Sequence, residues 1–369
     1  MRIGLDGRPL VGPRTGVGRY VFEICRELDT LLPDAEFFVY APRPVELPVS
    51  SGRWHSRLER RAWARGLKPI AWLKLRAGTL CRQDRLDVFW GSASLFPRLP
   101  AGVRRVSTVY DLTFRVAPET MSRTHRLAQQ LFFARDVGRA EHRLTISHGT
   151  AQRLQQWLGG PLAAVAPPGL SSTFRPRDSG AVAAVLHKLG IAQPYFLAVG
   201  TWEPRKNLEM LVGVFRALRL AGEFVHHRLI LAGGAGWKDV HLRRLLQVSD
   251  SVTTPVQSDG VTALGFVSDD DLAHLYSGCQ AFVFPSAYEG FGIPVLEARA
   301  CGAPVLTTDL PELREAGGDA AIYVSPTEEG LADGLRRVAS VLRFPPPSLN
   351  LLPTWRGSAQ VLAGYLNAR

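Results

Sequence analysis

Ser286-Ala287-Tyr288-Glu289-Gly290-Phe291-Gly292-Ile293-Pro294-Val295-Leu296-Glu297 follows closely on the apolar run Ala281-Phe282-Val283-Phe284. A short apolar strand, a glycine-containing loop and a helix opening near Pro294 make a strand–loop–helix unit. Proline suits a first helical turn. Glycines let backbone N–H groups approach a ligand, and a helix N-terminus favours an anion. Glu289 and Glu297 frame the loop and the helix behind it, and a carboxylate is a good acceptor for sugar hydroxyls. An ordinary glycine-rich turn with a solvated glutamate at each end fits the same pattern.

Outward from this stretch the unit recurs. Apolar runs at 195–199, 229–232, 304–307 and 321–324 predict further strands, and 207–220, 269–277, 294–301 and 329–342 predict helices. Near-continuous apolar strands between helices mean a sheet covered on both faces. In the first half, strands are expected at 3–6, 37–41, 88–90, 106–110 and 144–147, with helices at 18–29 and 125–138. The chain's 369 residues exceed one ordinary doubly wound domain. The pattern breaks at Pro167-Pro168-Gly169, which places a linker at about 167–180. The division is therefore 1–170, 171–350, and a terminal helical piece at 351–369 that can return to the first domain, after the stiff Phe344-Pro345-Pro346-Pro347.

Gly200-Thr201-Trp202-Glu203-Pro204-Arg205-Lys206-Asn207 also follows a strand. Two adjacent cations at a helix start oppose the helix dipole, so an anionic ligand is expected to compensate them. Arginine's fork and lysine's point charge suit a diphosphate, whereas two solvated surface cations are the plainer reading. Thr15-Gly16-Val17-Gly18-Arg19-Tyr20 follows the first strand and can present amides to a phosphate through Gly16 and Gly18, or simply make a tight turn. Asp269-Asp270-Asp271 reads as first-turn acids capping a helix, so no metal is expected. His226 and His227 lack ligand spacing. Cys25, Cys81, Cys279 and Cys301 form no C-x-x-C pair, and reduced thiols are expected.

Charge is unevenly placed. Residues 1–170 hold 26 Lys and Arg against 14 Asp and Glu, whereas 171–369 hold 18 against 19. Residues 53–85 alone hold ten cations and two acids, with Trp54, Trp63 and Trp72 interleaved. Such a segment can dock on an anionic membrane, can meet nucleic acid, or can be a solvated helix with its tryptophans packed inward. No signal peptide and no run of membrane-spanning length is apparent, so a cytoplasmic protein is expected, attached at most to a membrane surface.

Glu289 and Glu297 have the E-x7-E spacing of the retaining glycosyltransferases of family 4. The chain resembles that family again at Gly200 to Asn207, at Gly265-Phe266-Val267 with Leu272 and Leu275-Tyr276, and at Ala298 to Val305. Across 1–175 the resemblance is looser, through Gly16-Val17-Gly18-Arg19-Tyr20, Ile146-Ser147 and Pro168-Gly169. Its look is closest to bacterial mannosyl- or rhamnosyltransferases of surface-polysaccharide and lipopolysaccharide assembly. The resemblance implies the GT-B fold, two Rossmann-like doubly wound domains facing a cleft. It also implies roles. Arg205 and Lys206 neutralise the donor diphosphate, Glu297 holds the ribose, and Glu289 contacts the donor sugar. Gly290, Phe291 and Gly292 lie beside sugar and phosphates, and Phe266 and Val267 beside the base. Where the family often has His-Asp, this chain reads Tyr110-Asp111. Asp111 remains to bind a donor or acceptor hydroxyl, or only ends a strand and begins a turn.

The expected activity is metal-independent retaining transfer of a hexose, without a cofactor. The donor is a nucleoside-diphosphate sugar, GDP-linked before UDP-linked. The acceptor is a hydroxyl on a glycan or lipid-linked glycan, and nucleic acid is not an expected partner. The alternative is a non-catalytic sugar-nucleotide or polysaccharide-binding subunit on the same fold.

Overall fold

A computed structural model of the chain describes residues 1–12, 16–234, 236, 239–247, 255–341, 347 and 351–368. Thr15 and Phe344-Pro345-Pro346 of the segments above lie outside the described residues. The chain forms two compact units. Unit 1 is Met1–Arg115 with Arg123–Gly169 and Pro353–Arg369, and unit 2 is Leu170–Leu352 with Val116–Ser122.

Unit 1 is built on seven strands: β1 (Arg2–Asp6), β2 (Glu36–Ala41), β3 (Trp54–Leu58), β4 (Val88–Gly91), β5 (Arg104–Val109), β6 (His142–Thr145) and β7 (Ala164–Val165). They lie in the order β3-β2-β1-β4-β5-β6-β7, every pair parallel. β2 reads Glu-Phe-Phe-Val-Tyr-Ala and is buried from Phe37 onward, as a strand covered on both faces must be. The helix Gly16–Leu31 carries β1 back to β2 and buries Tyr20, Val21, Ile24, Cys25 and Leu28. The C-terminal helix Trp355–Asn367 belongs to this unit. Trp355 meets the Tyr20 ring edge-on at 5.8 Å, and Arg104 donates to the Leu366 carbonyl at 2.8 Å.

Among its described residues unit 2 also has seven strands: β8 (Tyr195–Val199), β9 (Arg228–Ala232), β10 (Val256–Ser258), β11 (Val261–Gly265), β12 (Ala281–Phe284), β13 (Val305–Thr308) and β14 (Ile322–Val324). Their order is β10-β11-β9-β8-β12-β13-β14, parallel except for the β10–β11 hairpin. Helices Leu208–Leu220 and Glu328–Ala339 cover part of the sheet, closing a core of Phe196, Leu211, Phe215, Leu229, Leu306 and Leu335. Each such side chain, taken from water to full burial, contributes about 1.5–3 kcal/mol.

β3, β7, β10 and β11 were not legible as strands. β3 reads Trp-His-Ser-Arg-Leu and is an edge strand, so polar residues interrupt its pattern. Trp54 fixes it by stacking on Phe37 at 4.2 Å. β6 ends at Thr145, short of the expected Ser147. Ser147 instead caps the helix His148–Leu158, its hydroxyl accepting from the Thr150 amide at 3.0 Å.

The 53–85 segment is divided rather than uniformly basic and exposed. Trp54 and Trp72 are buried, and Trp63 is 61% exposed. Arg57 pairs with Asp84 at 2.8 Å and Arg76 with Glu59 at 3.0 Å, while Arg53 pairs with Asp29 and Lys74 with Asp136. Arg60, Arg61, Arg65, Lys68, Arg82 and Arg85 are exposed.

Candidate active site

In unit 2 the strand order turns between β8 and β12, and ligands of doubly wound sheets bind outside the C-terminal strand ends at such a switch point. Two loops emerge there, 200–207 after β8 and 285–292 after β12. In the first, Glu203 is extended, as a residue before proline prefers. Pro204–Lys206 then make one tight helical turn, and Asn207 takes a left-handed conformation at φ 52° that asparagine tolerates well. Two bonds stitch the loops together. Asn207 Nδ2 donates to the Pro285 carbonyl at 3.0 Å, and the Ala287 amide donates to the Arg205 carbonyl at 2.8 Å.

This stitching brings four charges together. Lys206 Nζ donates to Glu289 Oε1 at 2.6 Å. Arg205 Nη1 donates to Glu289 Oε2 at 2.7 Å and to the Tyr288 carbonyl at 3.3 Å, while its Nε donates to Glu203 Oε2 at 2.8 Å. Lys206 and Glu289 are both buried, and Lys206 Nζ also sits 4.6 Å from the Phe284 ring centroid. Burial alone would raise the Glu289 carboxyl, but Lys206 and Arg205 outweigh it and hold it down at about 2. Burial lowers Lys206, with Arg205 adding to the effect against the pull of Glu289. Burial raises Glu203, aided by Glu289 and opposed by Arg205 and Lys206. The adjacent cations therefore need no ligand to compensate them, since carboxylates of the same two loops do so. A buried ion pair is weak evidence for stability and a better pointer to function.

The rest of the glycine loop is held from below. Phe291 and Tyr288 are buried. Gly292 caps the helix Ile293–Ala300 at φ 103°, and a Cβ there would lie 2.6 Å from Leu313 Cδ2. Gly290 is partly exposed between them. Glu297 lies within that helix, buried, and accepts from the Tyr276 hydroxyl at 3.4 Å. Burial, and then Glu297, push the Tyr276 hydroxyl well above its ordinary range. Phe266 follows the end of β11 and is 88% exposed, with Val267 partly covered.

The remaining sequence-selected residues belong to unit 1. Asp111 Oδ1 accepts from the Thr113 amide at 2.8 Å, so it also organises the turn after β5. Tyr110 donates to the Ser92 carbonyl at 2.7 Å and meets Tyr20 edge-on at 5.3 Å. Gly16 opens its helix in free space, whereas a Cβ on Gly18 would lie 2.5 Å from the Pro9 carbonyl oxygen. Gly18 thus serves close packing against the loop after β1.

Sequence reasoning missed Glu203 and Tyr276 as members of the site. Glu203 carried a signal, because an extended residue two before Arg205 can fold its carboxylate back onto the guanidinium. Asp269, Asp270 and Asp271 do occupy a first helical turn, capped by Ser268, and Asp270 and Asp271 pair with Arg177 and Lys188. Among the described residues no group of three or more His, Cys, Asp or Glu is arranged to hold a metal. His227 stacks on Phe196 at 5.2 Å.

Residues 193–340, which include all four charges, match the family model described as Glycosyl transferases group 1. O-antigen chain mannosyltransferase B of Escherichia coli is 29% identical over 342 residues, 89% of this chain and 87% of that protein. This chain carries a glycosyl transferases group 1 domain and is a glycosyltransferase. The glycosyltransferase also matches Serotype-specific mannosyltransferase WbdA of Escherichia coli, at 34% identity over 131 residues. That is 36% of this chain, and the chain spans only 16% of WbdA's length. Its GT-B fold is that of WaaG, a glycosyltransferase involved in lipopolysaccharide biosynthesis. The TM-score is 0.69 at 16% identity, covering 100% of both chains.

Proposed function

We propose that this glycosyltransferase moves a hexose, of mannose or rhamnose type, from a nucleoside-diphosphate sugar to a hydroxyl of a glycan or lipid-linked glycan in surface-polysaccharide assembly. One observation carries the reading: Arg205, Lys206 and Glu289 are locked together where β8 and β12 end. The two cations face the donor diphosphate and stabilise charge as the sugar–phosphate bond breaks. Glu289 holds sugar hydroxyls, Gly290, Phe291 and Gly292 lend backbone amides, and Glu297 holds the ribose. The exposed ring of Phe266, beside Val267, stacks on the base. Asp111 serves a hydroxyl. The acceptor oxygen attacks on the face the phosphate leaves, with retention, and the departing phosphate takes the acceptor proton. A GDP-sugar is favoured over a UDP-sugar because of the mannosyltransferase relatives. Incubation with a panel of both, with acceptor and excess EDTA, should give nucleoside-diphosphate release and a retained linkage. Nucleotide-sugar binding without turnover on any acceptor would favour a non-catalytic subunit. Loss of turnover in EDTA, restored by Mg²⁺ or Mn²⁺, would overturn metal independence.

A second reading concerns location. No helix among the described residues is long and apolar enough to cross a membrane. Trp63 and Leu75 are 61% and 67% exposed, and Arg60, Arg61, Arg65 and Lys68 are exposed in the same segment. Each such cation contributes roughly 1 kcal/mol near an anionic bilayer, so four give about 4 kcal/mol, enough for reversible attachment at the cytoplasmic face. Binding to anionic liposomes should weaken with salt and fall when those four are changed to Gln. A protein that ignores anionic liposomes at low salt would point to a soluble acceptor.

A further inference from the structure

The charges that meet at the ends of β8 and β12 cancel before any ligand arrives. Glu203 and Glu289 offset Arg205 and Lys206, and the bonds joining them are 2.6–2.8 Å long. Both Glu203 and Glu289 are well shielded, with side chains 9% and 8% exposed. A sugar nucleotide brings about two further negative charges into this setting, and the released nucleoside diphosphate brings nearly three. Like charges in a poorly solvated site cannot all stay ionised.

The two carboxylates are not equivalent. Glu289 is held by both cations, at 2.6 Å from Lys206 and 2.7 Å from Arg205. Among the described residues Glu203 pairs with Arg205 Nε and makes no other ion pair. When the guanidinium turns its charge toward phosphate, Glu203 loses most of its compensation and Glu289 keeps Lys206. The groups that act on Glu203 are Arg205, Lys206 and Glu289, from its own loop and from the loop after β12.

We propose that Glu203 is a positioning residue that takes up a proton when the donor binds, releasing Arg205 from its carboxylate to the diphosphate. This rests on the assignment of Arg205 and Lys206 to the donor phosphates. The proton comes from solvent, and no covalent bond changes. Uptake lets the site accept the donor's charge, and it holds Arg205 available as charge grows on the leaving phosphate. Glu203 itself touches no reacting atom. The raised affinity of its carboxyl for protons in the free protein makes it the nearer of the two to uptake.

The test is calorimetric titration of the intact protein with GDP-mannose and with UDP-glucose, in two buffers of different ionisation heat, across a pH series. A sugar nucleotide is used because neither phosphate titrates near neutrality. Binding should take up a substantial fraction of one proton, and affinity should fall by up to about tenfold per pH unit above the free carboxyl's titration. Glu203→Gln should still bind at neutral pH, with proton uptake and the pH slope both lost. A role in packing alone would weaken Glu203→Gln at every pH and leave the slope in place, which overturns the proposal. Wild-type binding without buffer-dependent heat also overturns it while leaving the diphosphate assignment standing. If neither nucleotide binds the folded protein, the assignment falls, and the proposal with it.

Discussion

Lys206 Nζ and Glu289 Oε1 lie 2.6 Å apart although the two residues are 83 positions apart in the chain. Both follow neighbouring parallel strands, β8 and β12, so the sheet rather than the local sequence sets their distance. Removing the lysine should therefore act on chemistry and on structure at once. Lys206→Ala is expected to lower kcat/KM by about thirty- to nine-hundredfold, equivalent to about 2–4 kcal/mol of transition-state stabilisation. Initial-rate kinetics with saturating acceptor would check it, and unchanged kcat/KM would remove Lys206 from the donor site.

The same pair sets an acid limb on stability. Glu289 titrates at about 2 in the folded protein, below its ordinary 4.5. A depressed carboxyl contributes stability that is complete above its unfolded value and is lost as pH falls through its folded one. The contribution should thus fade between about 4.5 and 2. Glu203 has the opposite sign: its raised carboxyl favours folding at low pH and loses that effect as pH rises. Urea unfolding across this window should show Glu289→Gln less stable than wild type at neutral pH, with the gap closing toward the acid end. A gap that stays constant with pH would mean that the carboxylate's charge is not what the cations hold.

Much of the sheet was readable because its central strands are apolar on both faces. Tyr195–Val199 and Ala281–Phe284 were placed to the residue. β3 and β10 were not, since edge strands keep polar residues on one side. The site was partly readable. The basic pair, the glutamate spacing and the glycine loop are local signals; the pair, Glu289 and the glycines occupy βα loops, and Glu297 lies in the helix behind. That Glu203 and Glu289 neutralise the cations depends on two loops meeting across the sheet, which no local spacing encodes. At Gly18 no local signal showed that a Cβ would lie 2.5 Å from the Pro9 carbonyl oxygen, a packing demand separate from any phosphate role.

Gly292 combines a left-handed backbone at φ 103° with a neighbour, Leu313, on the next helix. Gly292→Ala should be destabilising by about 1–2 kcal/mol from backbone strain alone, because the leucine tip can move but the dihedral cannot. It should also shift the amides that open the helix Ile293–Ala300, so donor KM should rise along with the loss of Tm. A variant with wild-type Tm and wild-type KM would show that the loop tolerates an ordinary residue.

Phe266 offers the cleanest separation of binding from folding. Its ring is 88% exposed, and an exposed side chain contributes little to stability. On the proposed function, this ring just past the C-terminal end of β11 stacks on the base. Stacking of a base on an aromatic ring is worth about 1–3 kcal/mol, with little preference for which base. Phe266→Ala should therefore raise donor KM by roughly five- to a hundredfold while leaving Tm unchanged. GDP- and UDP-sugars should be affected alike, and Phe266→Tyr should restore most of the affinity. Melting curves and donor titrations on the same preparations decide it. If KM for both donors is unchanged in Phe266→Ala, the base is held elsewhere and the segment after β11 does not form its platform.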